Sequence, residues 1–172
     1  MVSSVNNSFI TKAKIFFEEI CAKVRYYFAV KAIEKAGVAG SSGCGPYAVQ
    51  EYLRLRGKVV PMSEIVRHIE ENQSQKITAL GSTARAVFGV VSALLGGVPL
   101  DESRSKAIAP QCLQQTVQEG RPALVLVPNH WIVSIGQNDP DTGLPLVFDN
   151  GVLRPLCAQA LPQYDQPLWI IC

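Results

Sequence analysis

The sequence predicts an α+β fold, with helices first and an antiparallel sheet after them. Three observations carry this reading. Between residues 8 and 95 apolar positions recur at helical spacing, in segments broken by glycine and proline. Beyond Gly120 the pattern changes to short apolar, β-branched runs separated by turn residues, as in strands joined by hairpins. No linker, internal repeat or low-complexity tract divides the chain, so residues 1–172 read as one domain with helices packed on a sheet.

Residues 8 to 35 read as one long helix or two short ones, with Asn7 or Ser8 as N-cap and Gly37 at the C-cap position. Phe9, Ala13, Phe16, Phe17, Ile20, Val24, Tyr27, Phe28 and Ile33 form an apolar stripe with Lys and Glu between them. The stripe is read as the face packed on the domain, the alternative being a partner-binding or membrane-surface helix. Residues 1–36 are in either case an extra N-terminal helical segment.

Val38 to Gly45 is a small-residue loop, and a helix then runs from about Pro46 to Arg56, ended by Gly57. The next starts at Pro61-Met62-Ser63-Glu64 and continues through Glu71, its apolar face formed by Ile65, Val66 and Ile69. Another spans roughly Ser82 to Leu95 and stops at Gly96-Gly97. Gln111 to Glu119 is a short helix ended by Gly120. Strands follow over Pro122 to Pro128, His130 to Gly136 and Leu144 to Asp149, the last two joined by a hairpin at Asn138 to Gly143, and Leu168 to Ile171 is a final short strand.

Composition excludes several classes. With 48% hydrophobic and 17% charged residues the chain is compact rather than disordered. A net charge of +2 without a basic run gives no footprint for nucleic acid or an anionic membrane. Five scattered cysteines without a CxxC pair do not form a disulfide framework, and two histidines are too few for an ordinary zinc site. Reduced thiols point to a cytoplasm-like compartment, which includes a protein delivered from a bacterial cytoplasm into another cell. No secretory signal is legible. Tyr26 to Ile33, interrupted by Lys31, is too short to span a bilayer, and Ala86 to Leu100 with its glycines fits a buried helix.

Chemistry concentrates at three places. Gly43-Cys44-Gly45-Pro46-Tyr47 puts a thiol in a glycine turn that opens a helix. Asn129-His130-Trp131-Ile132-Val133 puts an imidazole at the start of a strand, and Val147-Phe148-Asp149-Asn150 ends the next strand on a carboxylate and an amide. A nucleophilic cysteine works as its thiolate, which the positive end of a helix and a neighbouring imidazolium both stabilise. Gly43 and Gly45 leave the sulfur open to a substrate and its oxyanion. Cys44 is therefore the nucleophile, His130 the base, and Asp149 the group that orients the ring, with Asn150 the alternative. Cys21, Cys112, Cys157 and Cys172 lack such a setting, His68 is a surface residue, and Gln50 is an ordinary helical residue.

Together these segments resemble the papain-like cysteine peptidases, and within them the bacteriocin-leader (double-glycine) peptidase-like group. The likeness extends to Ala79-Leu80-Gly81-Ser82-Thr83 through Leu95-Gly96, to Glu119-Gly120-Arg121-Pro122-Ala123-Leu124-Val125, and to His130-Trp131-Ile132-Val133-Ser134-Ile135-Gly136. It covers about residues 38 to 155. It implies a papain-like fold, with the nucleophile at a helix N-terminus packed on a C-terminal antiparallel sheet. It also implies a Cys44-His130-Asp149 triad that needs no metal or organic cofactor, and a peptide or protein substrate. One feature departs from the family. The glutamine usually found shortly before the nucleophile is absent from Gly37-Val38-Ala39-Gly40-Ser41-Ser42. Ser41, Ser42 or the Cys44 backbone N–H would have to donate to the oxyanion, and losing one such donor costs on the order of 10²–10³ in rate. The expected activity is amide hydrolysis. The alternatives are a glutamine deamidase or acyltransferase effector with the same triad, and a catalytically silent binding or regulatory domain.

Overall fold

The computed structural model describes residues 3–39, 42–78, 81–95, 107–108, 110–127, 130–156 and 168–171. Along the chain these form α1 (Ser3–Lys35), α2 (Cys44–Leu55), α3 (Met62–Gln73), α4 (Ala84–Leu95), β1 (Ala107–Ile108), α5 (Pro110–Gln118), β2 (Ala123–Val127), β3 (His130–Asn138), β4 (Pro145–Asp149), β5 (Val152–Pro155) and β6 (Leu168–Ile171). The strands make one antiparallel sheet in the order β1-β6-β2-β3-β4-β5. The fold is α+β.

Alternation along the strands gives the sheet two buried faces. Leu124, Trp131, Val133, Leu146, Phe148, Leu153 and Ile171 join residues of α1 to α4 in the main core. Ala123, Val125, Ile132 and Val147 face the other way and pack with Leu113 of α5 and with Leu156. The sheet therefore lies between α1–α4 and α5, which explains why its strands read as nearly continuous apolar runs.

Several boundaries differ from the sequence expectation for local reasons. Helix α1 is one continuous helix that begins at Ser3, so Asn7 and Ser8 lie inside it rather than at its start. Its other end is as expected: Gly37 adopts φ +86° and the Val38 N–H donates to Ile33 O at 3.2 Å. Helix α2 begins two residues before Pro46, at Cys44 itself. Helix α4 starts at Ala84, where Thr83 Oγ1 accepts from the Ala86 N–H at 3.2 Å. The stop expected at Gly96-Gly97 falls outside the described residues. Strand β5 was not anticipated. It pairs with β4 through the two-residue turn Asn150-Gly151, both at positive φ (46° and 80°), as a tight hairpin requires.

The apolar stripe of α1 is placed differently from expectation. Ala22, Ala29 and Ile33 are buried, whereas Phe16, Phe17, Ile20, Val24, Tyr27 and Phe28 are exposed on the opposite side. Small alanines let the helix approach closely, and polar residues complete its docking. Glu51 of α2, almost fully buried, accepts from Arg25 Nε at 2.9 Å and Arg54 Nε at 3.0 Å. Both arginines also reach Glu18, at 2.8 and 3.0 Å. A buried acid is held here only because two guanidinium groups repay its desolvation, and one of the two comes from α1.

Candidate active site

Cys44 is the first residue of α2, so its sulfur lies in the first turn, among backbone N–H groups that have no intrahelical partner. Gly43 precedes it without a side-chain cap, and its carbonyl accepts from the Tyr47 N–H at 3.0 Å. Gly45 is required by a close approach. A Cβ there would lie 2.4 Å from Ser82 Oγ and 2.6 Å from Ser82 Cβ. The Ser82 carbonyl in turn accepts from Trp131 Nε1–H at 2.9 Å. The segment before α4 thus ties the start of α2 to the start of β3, where His130 stands beside Trp131.

Sheet register supplies the third group. Val133 pairs with Phe148 and Ser134 with Val147, which brings the end of β4 alongside the beginning of β3. There His130 Nε2–H donates to Asp149 Oδ1 at 2.6 Å. With Nε2 engaged, Nδ1 is the ring nitrogen left for the thiol, and Cys44 and His130 lie close enough for each to shift the other's pKa. The structure thus brings Cys44, His130 and Asp149 together. The thiol is partly exposed, as is the imidazole.

The charges are arranged for an ion pair. The hydrogen bond donated to Asp149, then the interaction with Cys44, push His130 up to about 9 against the partial desolvation of its ring. Burial opposes ionisation of Cys44, but hydrogen bonds from His130 and the Trp131 backbone N–H, with the charge of His130, hold the thiol below its ordinary value. Asp149 is kept below the usual carboxylate range by the hydrogen bond from His130, against its own burial and with help from Arg154. Both shifts favour a thiolate facing an imidazolium over the neutral pair.

Other anticipated residues take different places. Asn150 is exposed in the β4–β5 turn, and its positive φ suits the turn rather than the ring of His130. Ser42 is buried just before α2, its N–H donating to Ala39 O at 2.8 Å; Ser41 lies outside the described residues. Gln50 Nε2 donates to Val60 O at 3.3 Å. His68 sits on α3 beside Glu64 and Glu71, at 3.9 and 3.5 Å. Cys21 is exposed on α1. The side chains of Cys112, Cys157 and Cys172, like Asn129, lie outside the described residues. Among the described residues no three His, Cys, Asp or Glu side chains gather as around a metal ion, and no helix is long and apolar enough to cross a membrane.

Two contributors escaped the sequence reading. Arg154 of β5 pairs with the second carboxylate oxygen of Asp149 and so backs the orienting group. Its signal was the Asn150-Gly151 dipeptide, a strong hairpin marker that returns the chain past Asp149. Tyr26 of α1 packs edge-on against Tyr47 at 5.0 Å and against Gly151, where a Cβ would lie 2.3 Å from Tyr26 Cβ. Burial and the negative charges of Asp149 and Cys44 raise its phenol pKa, so the first helix borders the site. Nothing in the spacing of α1 marked that residue. A groove of about 660 Å³ lined by Phe17, Cys21, Leu55 and Phe148 lies apart from the three reactive side chains.

Compared with known proteins, the chain matches no family model, no curated protein and no solved structure.

Proposed function

We propose that this protein is a thiol-dependent amide hydrolase of papain-like design, acting on a peptide or protein amide. The observation that carries the reading is the 2.6 Å contact between His130 Nε2 and Asp149 Oδ1, with Cys44 near enough to the same ring for the two to shift each other's pKa. Sequence order, a thiol opening a helix and an imidazole on the sheet agree with it.

In this mechanism the Cys44 thiolate attacks the carbonyl carbon and forms a tetrahedral oxyanion. The His130 imidazolium gives its Nδ1 proton to the departing amine as the C–N bond breaks, leaving a thioester on Cys44. Neutral His130 then takes a proton from water, whose oxygen attacks the thioester and releases the carboxylic acid and the thiol. Asp149 holds the ring and stabilises its cationic form throughout. Backbone N–H groups at the start of α2, that of Cys44 included, serve as oxyanion donors in place of the missing glutamine side chain.

The test is the rate of iodoacetamide alkylation against pH, resolved by mass spectrometry at each cysteine, in wild type and His130→Ala. Rapid modification of Cys44 well below pH 7, lost in His130→Ala, is the expected result. A Cys44 that titrates like an ordinary thiol in both proteins refutes the proposal.

A further inference from the structure

Helix α1 presents an apolar face that none of the described residues covers. Phe16, Phe17, Tyr27 and Phe28 leave 60–67% of their surface in water, and Ile20 and Val24 about half of theirs. With roughly 200 Å² for each aromatic side chain, the stripe exposes on the order of 600 Å² of mostly apolar surface, at the upper end for a free monomer. The positions are ordered. Ala13, Phe17, Ile20, Val24, Tyr27 and Lys31 follow alternating spacings of four and three, the seam of a two-helix coiled coil. The order also reads alike from both ends about Ala22. Phe16 mirrors Phe28, Phe17 mirrors Tyr27, Ile20 mirrors Val24 and Ala13 mirrors Lys31.

We infer that the outer face of α1 is a self-association surface that pairs antiparallel with α1 of a second copy. A two-fold axis level with Ala22, on the outer side of the helix, sets Phe16 against Phe28, Phe17 against Tyr27 and Ile20 against Val24 of the other copy, the self-complementarity that an isologous contact needs. Charge selects the antiparallel sense. Side by side in parallel, Lys31 would face Lys31 at the seam, only partly offset by Glu34 at 3.5 Å, whereas antiparallel its aliphatic stem lies over Ala13 of the other copy. Lys23 is already paired with Glu19 at 2.9 Å, so the flank adds little repulsion. Two stripes together remove about 1,200 Å² from water, which reaches the size of specific interfaces. The groove beside α1, lined by Phe17, Cys21, Leu55, Phe148 and Leu153, gives the approaching side chains room to seat. The inference stands independently of the proposed chemistry, because none of the stripe residues belongs to the Cys44–His130–Asp149 series.

Sedimentation equilibrium on the full chain over a micromolar concentration range tests it. Wild type is expected at twice the 18.7 kDa chain mass. Ile20→Glu/Val24→Glu is expected at the single mass, with unchanged circular dichroism and unchanged Cys44 alkylation. Ala13→Glu, which sets a carboxylate against Lys31 of the partner copy, should tighten the dimer about two- to fivefold, whereas a parallel pair would be weakened by it. A wild type that is monomeric throughout overturns the inference, as does a dimer unaffected by the double substitution. A monomer that co-sediments with phosphatidylcholine–phosphatidylserine vesicles through this stripe also overturns it, in favour of a lipid surface.

Discussion

Replacing Asp149 by Asn tests the electrostatics of the site at its origin. The amide keeps the size of the carboxylate and removes the charge that stabilises the imidazolium. His130 stands at about 9 instead of the ordinary 6.5, with the Asp149 hydrogen bond as the largest cause. That gap corresponds to about 3 kcal/mol of preference for the cation, at about 1.4 kcal/mol per tenfold. Most of it should vanish in Asp149→Asn, so the ring midpoint should fall from about 9 to near 7. The Cys44 thiolate would lose its partner across neutral pH. Two measurements read this directly: an NMR titration of the His130 ring, and Cys44 alkylation at pH 8. The alkylation rate there is expected to fall up to about tenfold, since a ring with its midpoint near 7 is only about one-tenth cationic at pH 8. A ring midpoint that stays near 9, or an unchanged rate at pH 8, would refute the argument that Asp149 sets the ion pair.

Further expectations concern stability and the close approaches around the site. Taken alone, the raised His130 value contributes stability fully present below pH 6.5 and lost as pH rises through about 9, while the lowered Cys44 value contributes stability present at alkaline pH and lost as pH falls through its folded value. Between pH 6.5 and 9 the two slopes oppose, because folding favours a proton on the ring and disfavours one on the thiol. Urea unfolding of wild type should therefore vary less with pH in that window than that of Cys44→Ser, which should lose stability as pH rises; a flat profile in Cys44→Ser sinks the assignment. Glu51→Ala should cost about 2–3 kcal/mol by urea unfolding, below the full value for a buried pair because both arginines reach solvent and keep Glu18. Gly45→Ala, forced against Ser82, should cost about 1–3 kcal/mol and reduce Cys44 alkylation at pH 6, since the start of α2 must shift. Deleting residues 1–30 should abolish cooperative thermal unfolding, because it uncovers the core under Ala22 and Ala29 and takes Arg25 from Glu51; a truncated protein that unfolds cooperatively at the wild-type temperature would show α1 to be a detachable cover.

Much of the site was legible in one dimension because nucleophilic chemistry leaves local marks. A thiol between glycines at a helix start, a histidine opening a strand and a carboxylate ending the next are each visible within a few residues, and the strand periods say that the last two are neighbours. The helices and the strands β2, β3, β4 and β6 were readable for the same reason, since period and turn residues are properties of short windows. Even β5 was written locally, in Asn150-Gly151, a dipeptide whose positive φ values close a tight hairpin.

Which face of α1 meets the domain was a different kind of question. Its apolar residues run round the helix, so periodicity alone points two ways, and bulk favoured the aromatic side. Close packing favoured the other, because Ala22 and Ala29 permit a short approach to the core and Arg25 finds a buried acid from a distant helix. Likewise Tyr26 borders the site only because Gly151, far along the chain, leaves room for it. Composition and spacing therefore determined the elements and the reactive groups, which depend on neighbours in sequence. Tertiary structure decided the docking of α1, the choice of Asp149 over Asn150 and the support from Arg154, because shape complementarity and ion pairing act between residues that only the folded chain brings together.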